Sequence, residues 1–126
     1  MELSANYQNI SDLKRRLSAL SDHLDVDEKR DRLEEVRLEL ENSEIWSNPD
    51  KAKALGKEKV QLGTLCSAFE HSEAVLNDAK ELLEMAEAEN DENAVKGIIS
   101  DLNDIEISID SFEFQRMFGG EMDQNS

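Results

Sequence analysis

Two histidines and one cysteine are the side chains best suited to ligate a metal or act as a nucleophile. His23 and His71 fall on different predicted helices. His71-Ser72-Glu73 lacks the i, i+4 spacing that sets two ligands on one helical face. Both histidines are expected to face solvent. Cys66 is the single cysteine, so no intramolecular disulfide can form. It follows Leu62 by four residues and is expected to be a small buried apolar side chain rather than a reactive thiol. Asp25-Val26-Asp27 and Asn90-Asp91-Glu92-Asn93 have the acidity of a calcium loop, but neither has Gly at the sixth loop position and Glu at the twelfth. No glycine-rich phosphate loop, nucleophile elbow or triad occurs, so no catalytic, cofactor-binding or metal residue is assigned. Lys14-Arg15-Arg16 is the densest basic cluster. Three consecutive residues point three ways around a helix, so they make no single phosphate clamp, and a solvated face is expected.

The balance of charge narrows the partners. The chain of 126 residues carries 30 Asp and Glu against 14 Lys and Arg, a net charge of −16. Nucleic-acid binding through the general surface is disfavoured, because counterion release needs Lys and Arg; a local basic patch remains open. With 35% charged, 38% hydrophobic and 5% aromatic residues and one proline, the composition suits long helices and not a sheet. No run of 18 apolar residues and no basic-then-apolar N-terminus occurs, so the reading is cytoplasmic, neither exported nor membrane-spanning.

The element that organises the chain is an amphipathic segment from Pro49 to Ala88. Leu55, Leu62, Phe69, Leu76 and Leu83 recur every seven residues, and Leu65, Ala79 and Ala86 fill most positions three further on. This seven-residue apolar repeat predicts a coiled-coil seam on a helix roughly 60 Å long. Asn48 is suited to cap it, Pro49 to its first position and Asp50 to its positive end. Ile45 and Trp46 are expected to fold back on the first turns as a staple does; the alternative for Trp46 is an exposed binding aromatic. Gly56 and Gly63, each costing about 1 kcal/mol in a helix interior, either admit a second helix closely or are tolerated surface glycines.

Other helices must cover that seam. Ile10, Leu13, Leu17, Leu20 and Leu24 predict a helix over about 9–24, capped by Asn9 or Ser11. A second, over about 27–42, is capped by Asp25 or Asp27 and carries Leu33, Val36 and Leu40 on one face. The polar run 88–93 reads as a hairpin turn. Val95, Ile98, Leu102, Ile105, Ile109 and Phe112 predict a last helix, 93–118, returning antiparallel along the second half of the long one. The first two helices are left for the region of Leu55 and Leu62. Gly119-Gly120 is expected to end the last helix, leaving 119–126 as a flexible tail or a truncated linker to further domains. The expected fold is all-α: an elongated antiparallel hairpin or coiled-coil bundle of about four helices around one long helix, with 1–118 as one domain. Trp46, Pro49, Leu55, Leu62, Phe69, Leu76 and Leu83 are its structural residues.

Several stretches, in order, resemble a known family. They are Asp27-Glu28-Lys29-Arg30-Asp31-Arg32-Leu33-Glu34-Glu35-Val36 with Glu39-Leu40-Glu41; Ile45-Trp46-Ser47-Asn48-Pro49 with Ala52-Lys53-Ala54-Leu55-Gly56-Lys57-Glu58; Leu82-Leu83-Glu84-Met85-Ala86; and Glu113-Phe114-Gln115-Arg116-Met117-Phe118-Gly119-Gly120-Glu121. They are similar to the N-terminal helical domain of the bacterial peptide chain release factor 2 family, within the class I release factors. The tryptophan favours that family over the factor 1 family. The resemblance implies a domain that helps seat a release factor on the terminating ribosome, near the stalk base and ribosomal protein L11, and that bears on cooperation with the class II release factor GTPase. The family reads stop codons with a Ser-Pro-Phe tripeptide and triggers hydrolysis with Gly-Gly-Gln. Neither tripeptide occurs here, since the only proline is Pro49 and Gly119-Gly120 runs into Glu121. No cofactor is implied. The second reading, from another functional class, is a free-standing acidic coiled-coil adaptor whose seam recruits a separate partner.

Overall fold

The computed structural model describes the backbone of residues 3–124 and the side chains of 3–117. Among these residues there is no strand, and the fold is all-α. Four helices, α1 (Ser4–His23), α2 (Val26–Glu41), α3 (Pro49–Ala88) and α4 (Glu92–Gln124), are joined by short connections. The α2–α3 connection contains one 3-10 turn, Ser43–Ser47. The chain divides into two compact units, Asp25–Phe69 and the remainder, so α3 contributes to both.

In the unit Asp25–Phe69, α2 and the first half of α3 share an apolar cluster. Val36, Ile45, Ala52 and Leu55 are buried in it, with Leu40 and Leu62 packed against its edge. Arg32 on α2 meets Glu58 on α3, while Leu40 and Ala52 border one cavity. The two helices therefore run antiparallel, as a short connection requires. Asn48 accepts a hydrogen bond from the Lys51 amide at 3.3 Å, and Pro49 opens α3, as expected. Asn42 caps the 3-10 turn by accepting from the Glu44 amide at 3.0 Å.

In the other unit, α1 packs on α4. Its Tyr7 hydroxyl donates to Glu87 near the end of α3 at 3.1 Å, whereas Leu17 and Ser21 border a cavity with Leu76 and Glu73. Thus α1 runs antiparallel to the second half of α3. Leu3, Ile10, Leu13, Leu17 and Leu20 are buried here with Leu76, Ala79, Leu83, Ala86, Val95, Leu102, Ile105 and Ile109. The expectation that both α1 and α2 cover the region of Leu55 and Leu62 is corrected. Among the described residues the apolar cluster at Leu55, with Leu62 at its edge, is made by α2, the 3-10 turn and α3; the apolar stripe of α1 is buried in the unit it shares with α4 and the second half of α3.

The α3–α4 turn is closed by backbone geometry. Asn90 adopts left-handed φ 53°, its amide donates to the Glu87 carbonyl, and the Asp91 amide donates to the Ala86 carbonyl. That pair of bonds satisfies the last α3 carbonyls as a Schellman motif does, with Asn in the place usually taken by Gly. Asp91 then accepts from the Ala94 amide at 3.0 Å and caps α4. The α1–α2 junction likewise turns on a left-handed residue, Asp25, at φ 51°. Asp25 precedes α2 but makes no side-chain cap bond, and Asp27 lies inside the helix.

Helix limits differ from expectation at two ends. α1 begins at Ser4, which leaves Asn9 and Ser11 inside it; the extra turn is anchored by buried Leu3, whose carbonyl accepts from the Asn6 and Tyr7 amides. α4 continues through Gly119-Gly120 to Gln124, so the glycine pair is not a helix stop. Such a stop needs a left-handed glycine, and no described glycine has positive φ. The 119–126 side chains lie outside the described residues.

Candidate functional site

The expected structural residues divide by burial. Leu55, Phe69, Leu76 and Leu83 are buried, Leu62 is half-buried, and Pro49 is exposed in the first turn of α3. Between the heptad leucines, Cys66 is buried, as expected, whereas Leu65, expected on the seam, is only half-buried. A straight helix drifts about 20° per heptad, so the position four after a seam residue can replace the position three after it. Trp46 is the clear correction: 63% of its surface is exposed. In a 3-10 turn consecutive side chains point about 120° apart. Ile45 takes the buried direction, and its neighbour is turned outward.

The basic cluster also behaves differently from a uniformly solvated face. Arg16 is only 20% exposed and reaches from α1 onto α4. Its Nη2 donates to Glu113 Oε1 at 2.6 Å and to Asp110 Oδ1 at 2.7 Å, while Nε donates to Glu113 Oε2 at 3.1 Å. Glu106 lies 3.5 Å from Nη1. The Glu113 hydrogen bond, more than the surrounding negative charge, holds the guanidinium above its ordinary pKa. Arg15 pairs locally with Asp12. In the other unit Arg32 grips Glu58 through two parallel bonds, of 2.6 and 2.8 Å. These bonds hold the Glu58 carboxyl below the usual carboxylate range despite some desolvation. Both arginines are braces between helices. They tie α1 to α4 and α2 to α3.

The first turns of α3 are locally basic on an otherwise acidic chain. Lys51, Lys53, Lys57 and Lys59 are exposed on the first turns of α3, and none forms an ion pair among the described residues. Trp46 stands beside them at the wall of an open cavity of about 450 Å³ bordered by Arg37, Leu40, Glu41, Ala52, Gly56 and Lys59. A Cβ added at Gly56 or Gly63 would meet nothing within 4 Å, so neither glycine serves a close helix approach within the chain. Leu82 and Met85 are exposed on α3, and Ile107 and Met117 on α4. His23 and His71 are exposed, and no group of three His, Cys, Asp or Glu residues suited to a metal occurs among the described residues. Among the described residues no helix is long and apolar enough to cross a membrane. The arrangement presents surfaces for association. Trp46 and Arg16 are the residues that sequence reasoning misjudged.

Residues 29–126 match the family model described as the PCRF domain. Peptide chain release factor 2 of Stenotrophomonas maltophilia is 42% identical over 123 residues, covering 98% of this chain and 33% of that protein. The same-named protein of Haemophilus influenzae is 41% identical over 122 residues, 97% of this chain and 33% of its own length. That of Xanthomonas euvesicatoria is 40% identical over 116 residues, 92% and 31% respectively. The chain spans about a third of the length of the curated relatives it matches.

Proposed function

The chain belongs to the PCRF domain family, and from that premise we propose that it acts in translation termination as the N-terminal, ribosome-seating helical module of a class I release factor. The observation that carries the reading is the match to release factor 2 proteins over 98% of the chain, at 42% identity. Its partners in this reading are the ribosome near the stalk base, in the region of ribosomal protein L11, and the class II release factor GTPase. The work is cytoplasmic. No cofactor is required and no catalytic step belongs to these residues. Stop-codon reading and peptidyl-tRNA hydrolysis belong to segments with Ser-Pro-Phe and Gly-Gly-Gln, which this sequence does not contain.

The adaptor reading is weakened by burial. It needs an open seam on α3, but Leu55, Phe69, Leu76 and Leu83 are covered within the chain. Partners must use other surfaces. Co-sedimentation of the chain with purified 70S ribosomes at moderate salt tests the proposal. Saturable pelleting that full-length release factor 2 displaces is the expected result. Absence of pelleting across the micromolar range, with the chain folded by circular dichroism, refutes independent ribosome seating.

A further inference from the structure

The Trp46 cavity is a built feature. Buried Ile45 anchors the 3-10 turn, the Asn42 side chain caps its start, the Asn48 side chain caps α3 directly after it, and the Ser47 hydroxyl donates to the Glu44 carbonyl at 2.7 Å. The backbone under Trp46 is thereby held in place, with the indole directed outward and 63% of the residue exposed. Across from it, Leu40 and Ala52 supply apolar wall and Gly56 supplies open space. A volume of about 450 Å³ accommodates a large side chain and is too small for a folded element. Tryptophan and arginine are the residues that most often dominate the energetics of protein interfaces, and both border this cavity.

The charges at the rim choose the occupant. Lys59 is unpaired among the described residues, and Arg37 has only a loose 3.8 Å contact with Glu34. Lys53 and Lys57 stand on the adjoining exposed face of α3, while Glu58, next to Lys57 in sequence, is taken by Arg32. This is a basic edge on a strongly acidic chain, and it attracts carboxylates. A nucleic acid fits it less well. The α2 side of the cavity carries Glu41, with Glu34 two turns before it, so successive phosphates would meet acids as well as lysines.

We propose that this cavity is a docking site for an acidic segment of a partner protein, which inserts one large apolar side chain between Trp46 and Gly56 and sets a flanking carboxylate on Lys59 and Arg37. The inference does not rest on the ribosomal reading, because every residue it uses lies in Asp25–Phe69. Trp46 is the only tryptophan, so its fluorescence reports occupancy of the cavity directly.

A random peptide library displayed on phage and selected on the immobilised full chain tests it. Enriched peptides are then titrated in solution against the fluorescence of Trp46. The expected result is enrichment of sequences with one Leu, Phe or Trp beside Asp or Glu, binding saturably with a shifted Trp46 spectrum. Gly56→Leu, which fills the cavity from a helical position with open space above it, weakens them at least tenfold. Lys59→Glu does the same, and circular dichroism verifies that both variants fold. Failure of any peptide to enrich, enrichment of basic sequences, or binding unaffected by Gly56→Leu overturns the proposal. So does a saturable Trp46 response to an RNA hairpin in the absence of one to peptides.

Discussion

Replacing Arg16 with alanine removes one side chain and leaves three carboxylates facing each other. Glu106, Asp110 and Glu113 lie four and three residues apart on α4, all within 3.5 Å of the guanidinium that neutralises them. Hydrogen bonds to charged groups contribute about 1.5–3 kcal/mol when shielded. Asp110 and Glu113 keep 62% and 37% of their surface in water, which lowers that figure. Repulsion among the remaining acids acts in the opposite direction, adding a few tenths of a kcal/mol for each like-charge pair one turn apart. A net loss of about 2 kcal/mol is expected at low salt. Arg16→Lys should recover less than half, because an ammonium cannot span both Glu113 oxygens and reach Asp110. Two compact units do not guarantee one cooperative transition, so amide hydrogen exchange in α1 is the primary readout, with urea unfolding beside it. Protection across Leu13 to Leu20 should fall by roughly thirtyfold in Arg16→Ala, the factor that about 2 kcal/mol corresponds to. Adding Glu106→Gln should restore part of it. Unchanged α1 protection in Arg16→Ala, or full recovery in Arg16→Lys, would refute the idea that a multidentate brace holds α1 on α4.

Three other perturbations probe the second brace, the core and the exposed tryptophan. Glu58 has a depressed folded pKa, so its pairing contributes fully above the unfolded carboxylate value of about 4.3 and is lost as pH falls through the lower folded value. Glu58→Gln should therefore flatten the acid limb of stability measured on 25–69 amides below about pH 5, while leaving the neutral region's slope unchanged. Phe69→Ala, in a fully buried position, should cost about 3–5 kcal/mol in urea unfolding. Trp46→Ala, at an exposed one, should cost within about 0.5 kcal/mol. Equal costs for those two substitutions would contradict the placement of Trp46.

The helices were legible because their apolar spacing is local information. The seven-residue recurrence through Leu55, Phe69, Leu76 and Leu83, and the stripe from Val95 to Ile109, both mark faces that are buried. Asn48-Pro49 marks a helix start for a stereochemical reason that needs no tertiary context. Pairing was less legible, since an apolar stripe states that a face will be covered without naming the cover. Leu13 and Leu17 fit either half of α3, and giving the second half to α4 left only the first half for α1. The discriminating signal was electrostatic: Arg16 beside the α1 stripe, and Glu106, Asp110 and Glu113 recurring on one side of the α4 stripe. Trp46 was misjudged for another reason. Its hydrophobicity argued for burial, but a three-residue turn period gives two adjacent residues different directions, and Ile45 held the inward one.

The separation of the two braces along the chain has a consequence for biosynthesis. Arg32 and Glu58 are 26 residues apart, so the Asp25–Phe69 unit can close as soon as α3 has begun to emerge from a ribosome. Arg16 and Glu113 are 97 residues apart, and α1 has no complete site until most of α4 has been made. Closing the longer loop also costs more entropy, though only logarithmically more. Vectorial synthesis therefore imposes an order in which α1, though translated before α2 and α3, completes its docking after the Asp25–Phe69 unit has closed. Until then its leucines have at most the second half of α3 to cover them, so the interval between synthesis of α1 and α4 is when this chain is most open to chaperones, proteases and aggregation.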